Sequence, residues 1–220
     1  MMPSSPKPSA DLRARILEAA RQEPAPDRAR VTQTTRALVV LAIVSALTVF
    51  FAMGGFRLGG RPLGYVVTTG IGWGIVAAFA THLAFSRRKS MLGPTRQALV
   101  AAALLIAPIL LAWAALWTVS WPEVTVFDST WSNYLSCFTL TSVFGILPLI
   151  ALTIARRGSD PVHPRSTGAA LGAAMGAWAG TLIDLHCRCA SIPHIAFSHV
   201  LPTIMLAVLG ALVGPRILGL

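Results

Sequence analysis

Charged residues are scarce in this sequence of 220 residues. They make up 12% of the chain, with only eight Asp and Glu residues, whereas charged residues make up about a quarter of an ordinary soluble domain. Apolar residues make up 55% and fall in long runs rather than alternating with polar ones. Runs of this kind indicate that lipid surrounds much of the chain. The composition therefore argues against a soluble globular domain.

Catalytic motifs are missing as well. The sequence contains no GxSxG elbow, no HExxH pair and no Walker A loop. Three cysteines are too few for a disulfide framework, and no Cys or His precedes His82, which excludes a zinc site in the N-terminal region. The middle of the apolar runs is nearly free of ionisable residues, which argues against an ion-coupled transporter. We do not expect an enzyme.

Acidic residues are too few to balance the eighteen Lys and Arg residues, and the formal net charge is +10. Such a charge can indicate nucleic-acid binding. However, aromatic residues do not alternate with the basic ones, as they would in a single-strand binder. The basic residues instead lie between the apolar runs. We therefore expect a lipid bilayer, and no direct contact with nucleic acid.

Six apolar runs are each long enough to cross ~30 Å of hydrocarbon as a helix. They predict an all-α membrane protein with a cytoplasmic head over residues 1–36 and a transmembrane domain over residues 37–220. The first run lies too far from the N-terminus to be a cleaved signal peptide. The predicted spans cover residues 37–56, 64–85, 97–120, 134–155, 168–185 and 195–218.

The distribution of Lys and Arg predicts the orientation of these spans. If the N-terminus is inside, fifteen of the eighteen basic residues lie in inner segments, and only Arg57, Arg61 and Arg188 lie in outer ones. Cytoplasmic loops carry such an excess of Lys and Arg. We therefore expect both termini to lie in the cytoplasm.

A short amphipathic helix is predicted in the head, over residues 9–22. Ser9 can cap it, Asp11 lies in its first turn, and Pro24 follows its end. Three turns are marginally stable in water without a partner surface. The residues that we expect to bind a partner are Leu12, Arg13, Arg15, Ile16 and Ala20.

Glycines recur every four residues in the fifth run, at Gly168, Gly172, Gly176 and Gly180. Gly210 and Gly214 repeat this spacing in the sixth run. Small residues at this spacing let two helix backbones approach closely in lipid. Because a short loop joins the two spans, we expect them to pack within one chain. A homodimer through the same ridge, or a structural subunit of a larger complex, stays open as an alternative.

Most candidate ligand residues lie on the predicted outer side. The three thiols are expected to take part in sensing: Cys137, Cys187 and Cys189. Soft metals prefer thiolate and imidazole ligands. No cofactor is certain, but a soft metal ion at the outer face would have as its candidate ligands His186, Cys187, Cys189, His194 and His199. A redox site is the alternative, in which Cys137 would bond Cys187 or Cys189 more easily than these two would bond each other. The simplest alternative is that each cysteine is a small apolar filler.

The stretch Leu185–Leu218 resembles the C-terminal end of the six-span bacterial anti-sigma factors of the NrsF type. These proteins are negative regulators of extracytoplasmic-function (ECF) sigma factors. The opening segment ADLRARILEAARQ is similar to the short helices at the N-termini of bacterial anti-sigma factors. The resemblance at the C-terminal end is carried by Cys187, His194, His199, Pro202, Gly210, Gly214 and Arg216.

This resemblance implies an anti-sigma factor at the bacterial inner membrane that acts in a stress response. It implies that the partner is an ECF sigma factor. The N-terminal helix would bind this partner, and inner loops 86–96 and 156–167 would complete the binding surface. It also implies that Cys137 and Cys187 sense a redox or metal signal at the outer face, with Cys189 as an addition. The alternative function is a small transporter or metal-handling membrane protein that uses the same Cys/His residues.

Overall fold

The computed structural model describes residues 9, 11, 14–15, 18, 28–57, 59–85, 95–123, 130–157 and 162–219. The chain divides into two units, Met1–Thr34 and Thr35–Leu220. In the first unit, the described residues Asp11, Ala14, Arg15 and Glu18 are helical and exposed. Arg15 Nε lies 3.1 Å from Asp11 Oδ2, in an exposed ion pair one helical turn apart. The other residues expected to bind the partner lie outside the described residues: Leu12, Arg13, Ile16 and Ala20.

Six helical spans follow among the described residues, and each is long and apolar enough to cross a membrane. This confirms the prediction of an all-α, six-span protein, and the chain is a multi-pass membrane protein. The orientation of its termini remains a prediction. The first five spans are α1 (Arg28–Ala52), α2 (Leu63–Phe85), α3 (Arg96–Ser120), α4 (Trp131–Ala155) and α5 (Pro164–His186). The sixth, Ile192–Ile217, consists of α6 (Ile192–Ile195), a π-helical turn (Ala196–Val200) and α7 (Leu201–Ile217).

The helix α1 ends four residues before the predicted boundary at residue 56. Gly54 and Gly55 follow it with φ angles of 99° and 58°. Residues with a side chain rarely adopt such angles, so a glycine pair permits the sharp turn here. The turn leads the chain toward the end of α5, where the backbone N–H of Arg57 donates to the carbonyl of Leu185 at 3.2 Å.

The helix α5 lies at the centre of the bundle and contacts α2, α3, α4 and α7. The glycines of α5 allow neighbouring helices to approach it closely. A Cβ atom at Gly168 would overlap the carbonyl of Gly210, and one at Gly172 would overlap the carbonyl of Leu206. Gly180 instead meets the ring of Trp73 in α2. The ridge therefore packs mainly on α7 of the same chain, and its last glycine turns toward α2.

Candidate metal and thiol site

Four side chains converge at the end of the bundle where α5 ends. Their ligand atoms all lie within 4.8 Å of one another. Cys137 is half-buried, and the other three residues are buried. We call these residues the Cys/His group: Cys137 from α4, Cys187 from the loop after α5, His194 from α6 and His199 from the π-helical turn. The group thus joins two thiols and two imidazoles from separate elements.

The contacts within the Cys/His group are close. Cys137 Sγ lies 3.5 Å from Cys187 Sγ, and Cys187 Sγ lies 3.2 Å from His194 Nε2. The ring centroids of His194 and His199 are 5.4 Å apart. Among the described residues, neither ring nitrogen of His199 has a hydrogen-bond partner, and neither does Nδ1 of His194. Because buried polar groups are normally paired, the group has unused capacity to bind a ligand.

The π-helical turn brings the two imidazoles together. Residues five apart in an α-helix point about 140° away from each other at 3.6 residues per turn. A π-helical turn has hydrogen bonds between residues i and i+5 and therefore more residues per turn. The angle between side chains five residues apart is then smaller. Here the N–H of Leu201 donates to the carbonyl of Ala196. His194 and His199 therefore face the same region although they are five residues apart.

Pro202 helps to explain this irregular turn. Proline has no N–H, so it cannot donate to the carbonyl four residues earlier, which belongs to Ser198. Thr141 Oγ1 in α4 donates to that carbonyl at 2.8 Å, and Ser198 Oγ donates to the carbonyl of Tyr134 at 3.0 Å. Tyr134, Cys137 and Thr141 share one face of α4 by their spacing of three and four residues. These bonds consequently fix the π-helical turn against the face that carries Cys137.

The loop that carries Cys187 is fixed from two further sides. Thr118 Oγ1 in α3 donates to the carbonyl of Ala190 at 3.1 Å. Arg61 Nη2 donates to the backbone carbonyl of Asp184 at 2.8 Å, and Arg61 Nη1 lies 3.9 Å from Asp184 Oδ1. Both side chains of this ion pair are almost fully buried, at 1% and 3% exposure. Sequence reasoning missed this pairing, because the pattern predicts Arg61 to be an ordinary residue of an outer loop.

Two other candidate ligands lie beside the Cys/His group but are not members of it. The N–H of Cys189 donates to Cys187 Sγ at 3.4 Å. His186 Nδ1 donates to the carbonyl of Gly55 at 2.9 Å, and its ring centroid lies 6.3 Å from that of Phe50. Cys189 and His186 are therefore neighbours of the Cys/His group without belonging to it.

The thiols in the loop are electrostatically unusual. The contact with Cys137 raises the pKa of the Cys187 thiol to about 12. The contact with Cys187, together with burial, raises the pKa of the Cys189 thiol. Both groups are therefore neutral thiols near pH 7.

The comparison with known families adds the functional context. A sequence profile of the NrsF family, described as "Negative regulator of sigma F", matches residues 19–219. This range includes all six spans and the whole Cys/His group. The chain belongs to the NrsF family. This confirms the resemblance noted at Leu185–Leu218 and makes this NrsF-family chain a negative regulator with a sigma factor as its partner. No curated protein and no solved structure gives a significant match.

Proposed function

We propose that this NrsF-family protein is an anti-sigma factor of the bacterial inner membrane. It holds an ECF sigma factor away from RNA polymerase and releases it when the Cys/His group, on the outer side, receives a redox or soft-metal signal. The observation that carries this proposal is the family match over residues 19–219. The compact arrangement of Cys137 and Cys187 with two imidazoles supports the sensing part.

The N-terminal helix is the proposed binding surface for the sigma factor. By their spacing in the sequence, Leu12, Ile16 and Ala20 would supply its apolar face, and Arg13 and Arg15 would flank that face. A helix of about three turns is marginal in water, so docking on a partner would stabilise it. Each buried aliphatic side chain contributes about 1.5–3 kcal/mol to such a contact.

Helix α1 is the proposed route from the Cys/His group to the head. It follows the head along the chain, and its last turns pack beside the thiols. Phe50 belongs to the same buried apolar cluster as Cys187 and Cys189, and Met53 packs against that cluster. A rearrangement at Cys187 would therefore act directly on the end of α1. Coupling of this kind requires two sites that bias one element with two arrangements.

In the redox form of this proposal, the oxidant is a peroxide. Cys137 and Cys187 lose two protons and two electrons and form one S–S bond, while hydrogen peroxide takes up these protons and electrons and is reduced to two molecules of water. The sulfur atoms must approach from 3.5 Å to about 2.05 Å. The loop after α5 and helix α4 would move toward each other to permit this.

The decisive experiment is the capture of soluble partners by the full chain in detergent, compared with a variant that lacks residues 9–22. We expect the full chain to retain a sigma factor and the shortened chain to lose it. The double variant Leu12→Ala/Ile16→Ala should weaken capture strongly, whereas Leu12→Met/Ile16→Leu, which conserves apolar volume, should retain it. Capture by both long and short chains would move the binding surface to the inner loops. Capture by neither, together with uptake of a metal ion into vesicles, would favour the transporter.

The orientation needs a separate test with more exposed positions, because Cys187 and Cys189 are buried and Cys137 is half-buried. Arg57 and Arg157 are both exposed, and they lie in segments predicted to be outer and inner. In a background with Cys137, Cys187 and Cys189 replaced by Ser, we expect Arg57→Cys to react with a membrane-impermeant thiol reagent in intact cells. Arg157→Cys should react only after lysis. The reverse pattern would place the Cys/His group on the cytoplasmic side and exclude an outer signal.

A further inference from the structure

We propose that Cys137, Cys187, His194 and His199 form a four-ligand site for one soft divalent cation of the Zn²⁺ and Cd²⁺ class. This ligand set includes Cys137 and leaves out His186 and Cys189, which the sequence alone had suggested. Binding of the ion depends only on this geometry. Its use as the releasing signal rests on the proposed function.

The donor chemistry selects the class of ion. Two thiolates and two imidazoles are a common set for tetrahedral zinc, and Cd²⁺ prefers the same soft ligands. Hard cations such as Mg²⁺ and Ca²⁺ need several oxygen ligands. The group itself offers sulfur and nitrogen only. The site is therefore specific for soft ions over hard ones.

The spacing of the ligand atoms suits such an ion. With metal–sulfur distances of about 2.3 Å and metal–nitrogen distances of about 2.0–2.1 Å, the ligand atoms of a tetrahedral site lie roughly 3.3–3.8 Å apart. The observed separations are 3.5 Å between the two sulfur atoms and 3.2 Å between Cys187 Sγ and His194 Nε2. All four ligand atoms lie within 4.8 Å of one another. The widest separation would have to shorten by about 1.5 Å at most when the ion binds.

A second observation points to a ligand independently of the spacing. His199 is fully buried, and neither of its ring nitrogens has a hydrogen-bond partner among the described residues. An unpaired buried polar group costs about 1–3 kcal/mol. A cation bound by the Cys/His group would take a lone pair from one of these nitrogens. The π-helical turn, which places His199 beside His194, is also a form of helix that is frequent at functional sites.

The surrounding bonds hold the ligands in place before an ion arrives. Hydrogen bonds of Thr141 and Ser198 join the π-helical turn to α4, and a hydrogen bond of Thr118 holds the loop that carries Cys187. Such preorganisation favours metal binding because less order has to be created on binding. The ion would connect α4, the loop after α5, α6 and the π-helical turn at one point.

The test is titration of the purified full chain in detergent with Cd²⁺ and, separately, with Co²⁺. We expect one ion per chain, a sulfur-to-metal absorption band with Cd²⁺ and a tetrahedral visible spectrum with Co²⁺. Loss of a ligand in Cys187→Ser or His199→Leu should weaken binding by more than the roughly 10–100-fold that loss of a supporting residue causes. His199→Cys should retain Cd²⁺ binding, because it supplies another soft ligand.

Two control variants separate the four-ligand site from simpler explanations. Cys189→Ser removes a neighbouring thiol, and His186→Gln removes a neighbouring imidazole; both should bind Cd²⁺ nearly as well as the parent chain. If both histidine variants, His194→Leu and His199→Leu, also bind normally, a two-thiol site replaces the proposed one. If the parent chain binds no ion while its helix content is intact, the proposal is overturned.

The outcome can be distinguished from failure of the proposed function. Ion binding is measured on the isolated chain, whereas the sigma factor is captured by the chain with or without residues 9–22. Normal capture without ion binding would remove the metal site and keep the anti-sigma function. Ion binding without capture of a sigma factor would keep the metal site and remove the anti-sigma function.

Discussion

Helices α1 and α5 are both apolar spans of similar length, but their surroundings differ sharply. Only 11% of the apolar stretch of α1 is buried inside the protein, compared with 78% in α5. Large side chains cover α1 and are exposed, including Leu41, Ile43 and Val44. Glycine and alanine fill α5. In a membrane protein, large apolar side chains can thus mark contact with lipid, and small ones mark contact with other helices.

The same comparison assigns different roles to the two helices. α5 packs against α2, α3, α4 and α7 and lies at the centre of the bundle. α1 contacts the bundle through few side chains, among them Thr35, whose Oγ1 donates to the carbonyl of Ala155 at 3.4 Å, and Phe50, which packs in the cluster with Cys187. A helix with so little buried surface can shift with a smaller loss of contacts. This is the physical reason for proposing α1, rather than α5, as the element that carries a signal.

The largest expected effect comes from breaking the buried ion pair at the end of α5. Arg61→Ala would leave the Asp184 carboxylate buried without its partner cation, which should reduce the free energy of unfolding by about 3–5 kcal/mol. Unfolding by denaturant in detergent would measure this. The double variant Arg61→Leu/Asp184→Leu should recover much of the loss, because an apolar pair can replace a buried ion pair. Arg57→Ala is the matched control, since that side chain is exposed. Equal effects of Arg61→Ala and Arg57→Ala would contradict the structure.

The sequence predicted the six spans because length and apolar composition are sufficient to identify them. It also predicted that Cys187, His194 and His199 lie at one end of the protein, because the loop between spans five and six is short. The sequence did not predict which residues form the Cys/His group. His194 and His199 are five residues apart, and in an α-helix that spacing points two side chains in different directions. The π-helical turn depends on Pro202 and on bonds from α4, which are tertiary contacts. The glycine spacing likewise does not predict that Gly180 packs against Trp73.

A smaller effect is expected from adding one methyl group to the glycine ridge. Gly172→Ala places a Cβ against the Leu206 backbone, which cannot move as a side chain could, so stability should fall by about 1–3 kcal/mol or more. Gly74→Ala in α2 is the matched control, because no atom lies within 4 Å of the added Cβ. Its effect should be neutral or slightly stabilising, since alanine favours helix over glycine. Thermal unfolding of the two variants in the same detergent would measure the difference. A tolerated Gly172→Ala would show that α5 and α7 are less closely packed.

The smallest effect is expected on the exposed face of α1. Truncating Val44, which is 53% exposed, should change stability by less than about 0.5 kcal/mol. Lipid chains are as apolar as the removed methyl groups and fill the space, so no cavity remains. Phe50→Ala in the same helix should destabilise clearly, because Phe50 is buried at 2% exposure and packs on Phe56 and His186. The two variants, measured by the same unfolding assay, separate the lipid-facing and protein-facing sides of α1. A large loss in Val44→Ala would indicate that another protein chain, such as a second copy, covers this face.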